Sequence, residues 1–346
     1  MKTKERQHKI IQIIATNIGI SISAIKNLLE DKVSVPTLNR DLAELTKRET
    51  VIKSGKGRNI VYDVSSQYHL LNEEIGDSYF NKDADDRKGK KAFDFEIFSL
   101  LAKNSLFTNE EAIKLKELHQ TFRRKIATLS PVLMQKETER LSIELSWKSS
   151  QIEGNTYSLL ETELLLLEKQ EAKNKDHSEA VMLLNHKKAI DFIYQKKISL
   201  VPLNVFSIED IHSILINDLG VSKNLRKRIV GITGTTYKPP DNEFQIREYL
   251  EKSCEIINKK KSFFEKALLC VLLISYIQPF EDGNKRTARI TANGILIENG
   301  YCPLSYRSVQ PLDYKKAMIL FYEQNNILAF KKLFIEQIEF AIKNYF

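Results

Sequence analysis

The sequence predicts a mainly α-helical protein with a smaller, partly β-structured unit at its N-terminus. Apolar residues recur at helical spacing through most of residues 92–345, while β-prone residues cluster only at Val51–Lys53, Asn59–Val64 and Arg228–Tyr237. A charge-rich stretch, NKDADDRKGKK, separates the two regions. The 346 residues suffice for two or three domains, and 42% hydrophobic content excludes wholesale disorder. No run approaches the roughly 18 apolar residues of a membrane span, so no membrane partner is expected. The N-terminal MKTKERQHKIIQIIATN lacks a signal-peptide core and reads as a structural helix. Three widely spaced cysteines, Cys254, Cys270 and Cys302, suggest neither a disulfide framework nor a zinc site, and fit a reducing cytoplasm. The formal charge of +8 favours an anionic partner without choosing one.

Residues 1–65 read as one domain. Ile10, Ile11, Ile13 and Ile14 mark an amphipathic helix within Lys4–Asn17. Ser21-Ile-Ser23 caps a second helix running to Leu29. A third opens at Ser34-Val-Pro36, because proline is tolerated in a first turn. It turns Leu38, Leu42 and Leu45 inward and Thr37, Asn39, Arg40 and Lys47 outward. The two short β-rich runs after it, joined by Ser54-Gly-Lys-Gly-Arg58, make a basic, glycine-tipped hairpin. Three helices and such a hairpin form the winged helix-turn-helix pattern. Twelve Lys/Arg against seven Asp/Glu in this domain suit phosphates, and Asn39 and Arg40 suit base edges. Thr37, Asn39, Arg40, Lys47, Lys56 and Arg58 are therefore candidate DNA contacts, the rival reading being a protein-contact module. The stretch VSVPTLNRDLAELTKRETVIKSGKGRNIVYDVS resembles the N-terminal winged helices of many bacterial regulators.

Residues 66–91 read as a linker or exposed loop, and helical segments follow at about 92–129, 131–150, 158–171, 177–197, 207–217, 243–259, 262–277, 284–299, 311–325 and 327–345. The sharpest signal is QPFEDGNKRTAR, residues 278–289. An apolar helix enters a turn holding Pro279 and Gly283, and a new helix starts near Asn284, whose unpaired first-turn amides make an anion site. Asp282 supplies a hard oxygen suited to Mg²⁺, and Arg286 and Arg289 share a helix face able to reach successive phosphates.

This loop resembles the signature of the Fic (Fido) family, His-Pro-Phe-x-(Asp/Glu)-Gly-Asn-(Gly/Lys)-Arg-x-x-Arg. Eight of its nine fixed positions are met, and the similarity runs from about Thr138 to the C-terminus. The resemblance implies an all-helical Fic-type core at 177–346 with a small β-hairpin flap, preceded at 92–176 by a helical region. It implies binding of ATP and Mg²⁺ and transfer of AMP to a hydroxyl of another protein. Asp282 would then hold the metal, Gly283, Asn284, Lys285 and Arg286 the inner phosphates, and Arg289 the γ-phosphate. Gln278 stands where the family places its proton-accepting histidine. An amide cannot take a proton near neutral pH, and losing a general base costs about 10²–10⁴ in rate. Lys285 stands where AMP-transferring members commonly have glycine; lysine here is found in the Doc-type toxins, which resemble this loop and phosphorylate their target instead. None of the six histidines adjoins the loop in sequence.

Ser149-Ser-Gln-Ile-Glu153-Gly154 resembles the family's inhibitory motif, (Ser/Thr)-x-x-x-Glu-(Gly/Asn). There Glu153 would neutralise Arg289, Ser149 would brace the glutamate, and Gly154 would permit the turn. The order of the motifs resembles the class with an N-terminal inhibitory helix. Gly231–Tyr237 followed by Pro239-Pro240 resembles the flap that docks the target as an added strand, with Gly234, Thr235, Thr236 and Tyr237 as docking residues, the alternative being an ordinary connecting hairpin. Two functions stay open: a self-inhibited adenylyltransferase altered by Gln278, or a catalytically inactive, nucleotide-sensing transcription regulator. A scaffold or toxin–antitoxin component is a third reading, and homodimerisation suits both modules.

Overall fold

The computed structural model describes residues 3–17, 19–29, 33–72 and 77–345; Lys2, Lys32 and the side chain of Arg58 lie outside the described part. The chain divides into two compact units, Met1–Gly76 and Asp77–Phe346.

In the first unit, α1 (Thr3–Thr16) buries Ile10 and Ile14, and α2 (Ile22–Leu28) starts where the Ser21 hydroxyl accepts from the Ala24 amide. Ser34 caps α3 (Val35–Lys47) in the same way at Thr37, with proline in its first turn. Leu38, Leu42 and Leu45 face a core shared with Ile10, Ile25 and Val51. Asp41 is also on this inner face, where Arg6 of α1 donates to it at 2.5 Å and the buried carboxylate gains its counter-charge. The β-rich runs form β2 (Val51–Ser54) and β3 (Val61–Val64), antiparallel with Val51 opposite Val64. A strand not expected from sequence, β1 (Ile20–Ser21), pairs with β3 to give the order β1-β3-β2. Two residues are too few for an alternation pattern to register. A short helix, α4 (Ser66–Leu71), follows.

The second unit contains α5 (Glu96–Lys103), α6 (Asn109–Thr128), α7 (Pro131–Ile152), α8 (Leu159–Glu168), α9 (His177–Tyr194), α10 (Val205–Leu215), α11 (Glu243–Lys259), α12 (Phe263–Ile277), α13 (Asn284–Glu298), α14 (Pro311–Gln324) and α15 (Leu328–Asn344). Helix α12 is apolar nearly all round and almost wholly buried, so it forms the axis against which α11, α13 and α14 pack. Of these described helices, none is long and apolar enough to cross a membrane. Cys254, Cys270 and Cys302 are free and buried, and burial pushes their thiols up.

Three expectations are corrected. The segment 92–129 is two helices, because Thr108 and Glu111 form a capping box that restarts the chain as α6. Residues 77–91, read as linker or exposed loop, pack into the second unit: Arg87 is buried against Glu323 of α14. Composition made the stretch read as solvated, but its one buried guanidinium has a partner 236 residues away. The 228–237 segment forms no hairpin among the described residues. Arg228, Ile229 and Thr233 are exposed and Tyr237 is buried, and β-pairing nearby is a single bridge between Lys238 and Ala92.

Candidate active site

The loop between α12 and α13 is held by its own side chains. Helix α12 ends at Gln278, a non-glycine residue in the left-handed region at φ 49° and ψ 60°. Its amide nitrogen donates to the Ser275 carbonyl at 2.6 Å. Asn284 closes the loop from the other side, accepting from the Phe280 amide and donating to its carbonyl, both at 2.8 Å. Gly283, at φ 77°, opens α13, and a Cβ there would meet Ile216 Cγ2 at 3.1 Å. Thr287 makes the first intrahelical bond back to Gly283, so the first-turn amides of α13 are left for a ligand.

A cavity of about 310 Å³ lies over this turn, lined by Gln278, Asp282, Gly283, Asn284, Lys285 and Arg286. Val230, Gly231, Ile232 and Thr233 wall one side, and Met318, Ile319 and Tyr322 of α14 contribute apolar and ring surface. Arg286 is 2% exposed and donates to Asp282 at 3.0 Å, while its Nε and Nη1 have no protein partner. Two buried donors in an unpartnered state suit an anion. Asp282 and Glu281 bring exposed carboxylates to the cavity, and no group of three metal-ligating side chains exists among the described residues. One carboxylate fits Mg²⁺ that is otherwise carried by phosphates and water.

Arg289 does not face that cavity. Fully buried, it donates through Nε to the Ser149 hydroxyl and through Nη2 to the Ser149 carbonyl, each at 2.8 Å. Its Nη2 is also 2.8 Å from the Glu153 carboxylate, and it sits over the Tyr314 ring. The sequence assigns Ser149 to brace Glu153; the hydroxyl instead braces Arg289, the stronger charge-assisted donor within reach. Glu153 caps α7, and Gly154, at φ 105°, turns the chain away. The other Glu153 oxygen lies 3.6 Å from the Lys285 ammonium, so one carboxylate meets two cations. Burial pushes the Glu153 carboxyl up, but Arg289 and Lys285 outweigh it and hold the pKa below the ordinary carboxylate value.

A depressed pKa contributes stability that is complete above the unfolded value and lost as pH falls through the folded one. The melting-temperature difference between the natural chain and Glu153→Gln is therefore expected to hold from about pH 8 to about pH 5 and to shrink below about pH 4. A difference that kept growing on acidification would show that ionisation of Glu153 contributes nothing.

Several residues at the loop are invisible to sequence reasoning. Arg226, 1% exposed, donates from its backbone to Pro279 at 3.0 Å and from Nε to Gln278 at 2.6 Å. Its other nitrogens reach the carbonyls of Ile277, Arg228 and Pro240. No local pattern distinguishes it from Lys227 and Arg228, and Lys227 is an exposed partner of Glu243. His212 stacks flat on Phe280, centroids 3.6 Å apart, and its Nε2 is 3.0 Å from the Asp282 carbonyl. That contact makes Nε2 the protonated nitrogen, and burial depresses its pKa to about 4. His186 is buried near Arg289 and Arg286, and desolvation keeps it neutral. Neither histidine lines the cavity.

Three of the four residues expected to dock a target are engaged internally. Tyr237, 2% exposed, stacks on Tyr276 and donates to its carbonyl, and Thr235 donates to Glu323 at 2.5 Å. The Gly234 carbonyl accepts from Arg87, which leaves Thr236 without a described bond. In the first unit, Asn39, Arg40, Lys47 and Lys56 are exposed, whereas Thr37 is half-buried and bonded to Ser34.

Comparison with known proteins agrees with this geometry. Residues 202–296 match the Fic/DOC family. The chain is 30% identical over 178 residues to the protein adenylyltransferase Fic of Nematostella vectensis, covering 49% of this chain and 40% of that protein. It is 29% identical over 100 residues to a probable protein adenylyltransferase of Aquifex aeolicus, covering 28% of this chain and 31% of that one. The chain thus spans less than half the length of these relatives. Among solved structures, a Fic family protein from Desulfovibrio desulfuricans aligns with a TM-score of 0.60 at 17% identity, over 69% of this chain and 74% of its own. Fic-1 of C. elegans (residues 134–508) aligns at 0.57 and 20% identity, over 72% and 80%. The stretch that matches the Fic/DOC family, residues 202–296, holds the loop between α12 and α13 and the helices on either side of it, and the fold is shared with both solved structures.

Proposed function

We propose that the chain is a self-inhibited protein adenylyltransferase of the Fic type, slowed by Gln278, with a DNA-binding winged helix at its N-terminus. The observation that carries the inhibited state is the Glu153 carboxylate 2.8 Å from Arg289 and 3.6 Å from Lys285. A carboxylate held there takes the charge that a nucleotide's terminal phosphate needs, so ATP cannot extend along α13 until Glu153 leaves. With it gone, Lys285, Arg286 and the first-turn amides bind the phosphates, and Arg289 receives the last of them. Asp282 would hold Mg²⁺, which neutralises phosphate charge when bound. A hydroxyl of a target protein would then take AMP, with pyrophosphate leaving.

Gln278 favours a second reading, a nucleotide-sensing transcription regulator without turnover. Its amide orients a hydroxyl but removes no proton. Exposed Asn39, Arg40, Lys47 and Lys56 support the DNA half of both readings. A cytoplasmic setting and a homodimer belong to the same proposal. Calorimetry with Mg·ATP tests the core of it: Glu153→Gly is expected to bind at least about tenfold more tightly than the natural chain. No uptake by either protein would end both readings. Titration of a labelled DNA duplex with and without nucleotide then separates them, the regulator alone requiring a nucleotide-dependent affinity.

A further inference from the structure

The cavity wall at 230–233 is not held by strand pairing, and the residues that follow it show what holds it. Glu323 of α14, 2% exposed in its side chain, accepts four hydrogen bonds from three residues: Tyr79 at 2.6 Å, Thr235 at 2.5 Å, and Arg87 through two nitrogens at 2.9 and 3.0 Å. The same Arg87 guanidinium reaches the carbonyl of Gly234, a residue at φ 86° where the chain reverses. Nearby, the Lys90 amide donates to the Glu323 carbonyl at 2.7 Å, and the Lys238 amide to the Lys91 carbonyl at 2.9 Å. The segment 79–91 is therefore tied to α14 on one side and to the cavity wall's C-terminal end on the other.

A buried ion pair adds little stability over apolar side chains of the same volume, but it specifies geometry. A guanidinium fork fixes both carboxylate oxygens and still has a donor for a third acceptor, which an ammonium cannot do. We propose that Arg87 is a positioning residue for the candidate site: through Glu323 and the Gly234 carbonyl it fixes the 230–235 segment against the cavity, and so sets where a target polypeptide lies. The last clause rests on the transfer reading above; the clamping does not. Arg87 lies outside the 202–296 stretch that matches the family.

Hydrogen exchange on the full chain tests the clamp without any ligand. Arg87→Met is expected to speed exchange of the Lys90, Tyr237 and Lys238 amides, which are hydrogen-bonded beside the clamp, at least about tenfold while α12 and α13 keep their protection. Mg·ATP affinity, measured in the Glu153→Gly background, is expected to change less than about threefold, since Arg87 touches no phosphate-binding group. Unchanged exchange at Lys90, Tyr237 and Lys238, or acceleration spread evenly over the helices, would overturn the proposal, the second outcome marking a merely structural role. Should Arg87→Met not fold, Glu323→Gln is read by the same two criteria. Failure of nucleotide binding with the local exchange effect intact would sink the transfer reading alone.

Discussion

Restoring histidine at position 278 in a Glu153→Gly background is expected to raise transfer of label from α-labelled ATP to protein by about 10²–10⁴ over Glu153→Gly alone. The gain comes from the histidine alone, and the Glu153→Gly background lets it be read. Removing the Glu153 carboxylate frees Arg289 and Lys285, which now share it at 2.8 and 3.6 Å, so the nucleotide can seat. Histidine then supplies a nitrogen with a pKa near working pH at the cavity wall, where the present amide is bound to the Ser275 carbonyl. Neither His212 nor His186 lines the cavity, and burial lowers the pKa of both. Gln278→His alone is expected to add little, since the phosphate site stays occupied. Equal labelling by the single and double variants would mean that position 278 is not where the proton goes.

The largest structural effect is expected at Arg226. Arg226→Met keeps much of the side-chain volume and abandons the carbonyls of Ile277, Gln278, Arg228 and Pro240. Buried acceptors left without donors cost about 1–3 kcal/mol each before relaxation, and relaxation brings the total to about 3–5 kcal/mol. The second unit's melting temperature should fall by roughly 10 °C. Arg226→Lys is expected to recover only part, because one ammonium cannot span acceptors on both sides of the loop. A drop no larger than that of Arg247→Met, whose side chain is 42% exposed, would mean that water satisfies the carbonyls.

The split between what sequence reasoning finds here and what it misses follows the range of the interactions. Helix α12 was legible because its apolar run has no polar face, and α13 because a glycine and an asparagine mark its start. Asp282, Lys285, Arg286 and Arg289 stand within about one and a half turns of that start, so their grouping is written in their spacing. Glu153 joins them only through the family resemblance, and its contact with Lys285 depends on where α7 crosses α13. Arg226, Arg87, Glu323 and His212 act across 52 to 236 residues, where no periodicity operates. The β-prone 228–237 segment misled for the opposite reason. Its valine, isoleucines and threonines suit a strand, but Thr235 and Tyr237 have better partners in Glu323 and the Tyr276 ring.

The backbone torsion at residue 278 has a bearing on protein engineering. Helix α12 must leave its axis there by a right-to-left flip, so the alphabet open to this position is restricted before any reactivity is considered. Valine, isoleucine and threonine are disfavoured by their branching, whereas asparagine, aspartate, histidine and glycine adopt such angles readily. A library built at this one codon would therefore sample proton acceptors, neutral amides and an empty side chain on nearly the same scaffold, and differences among its members would report chemistry more than folding.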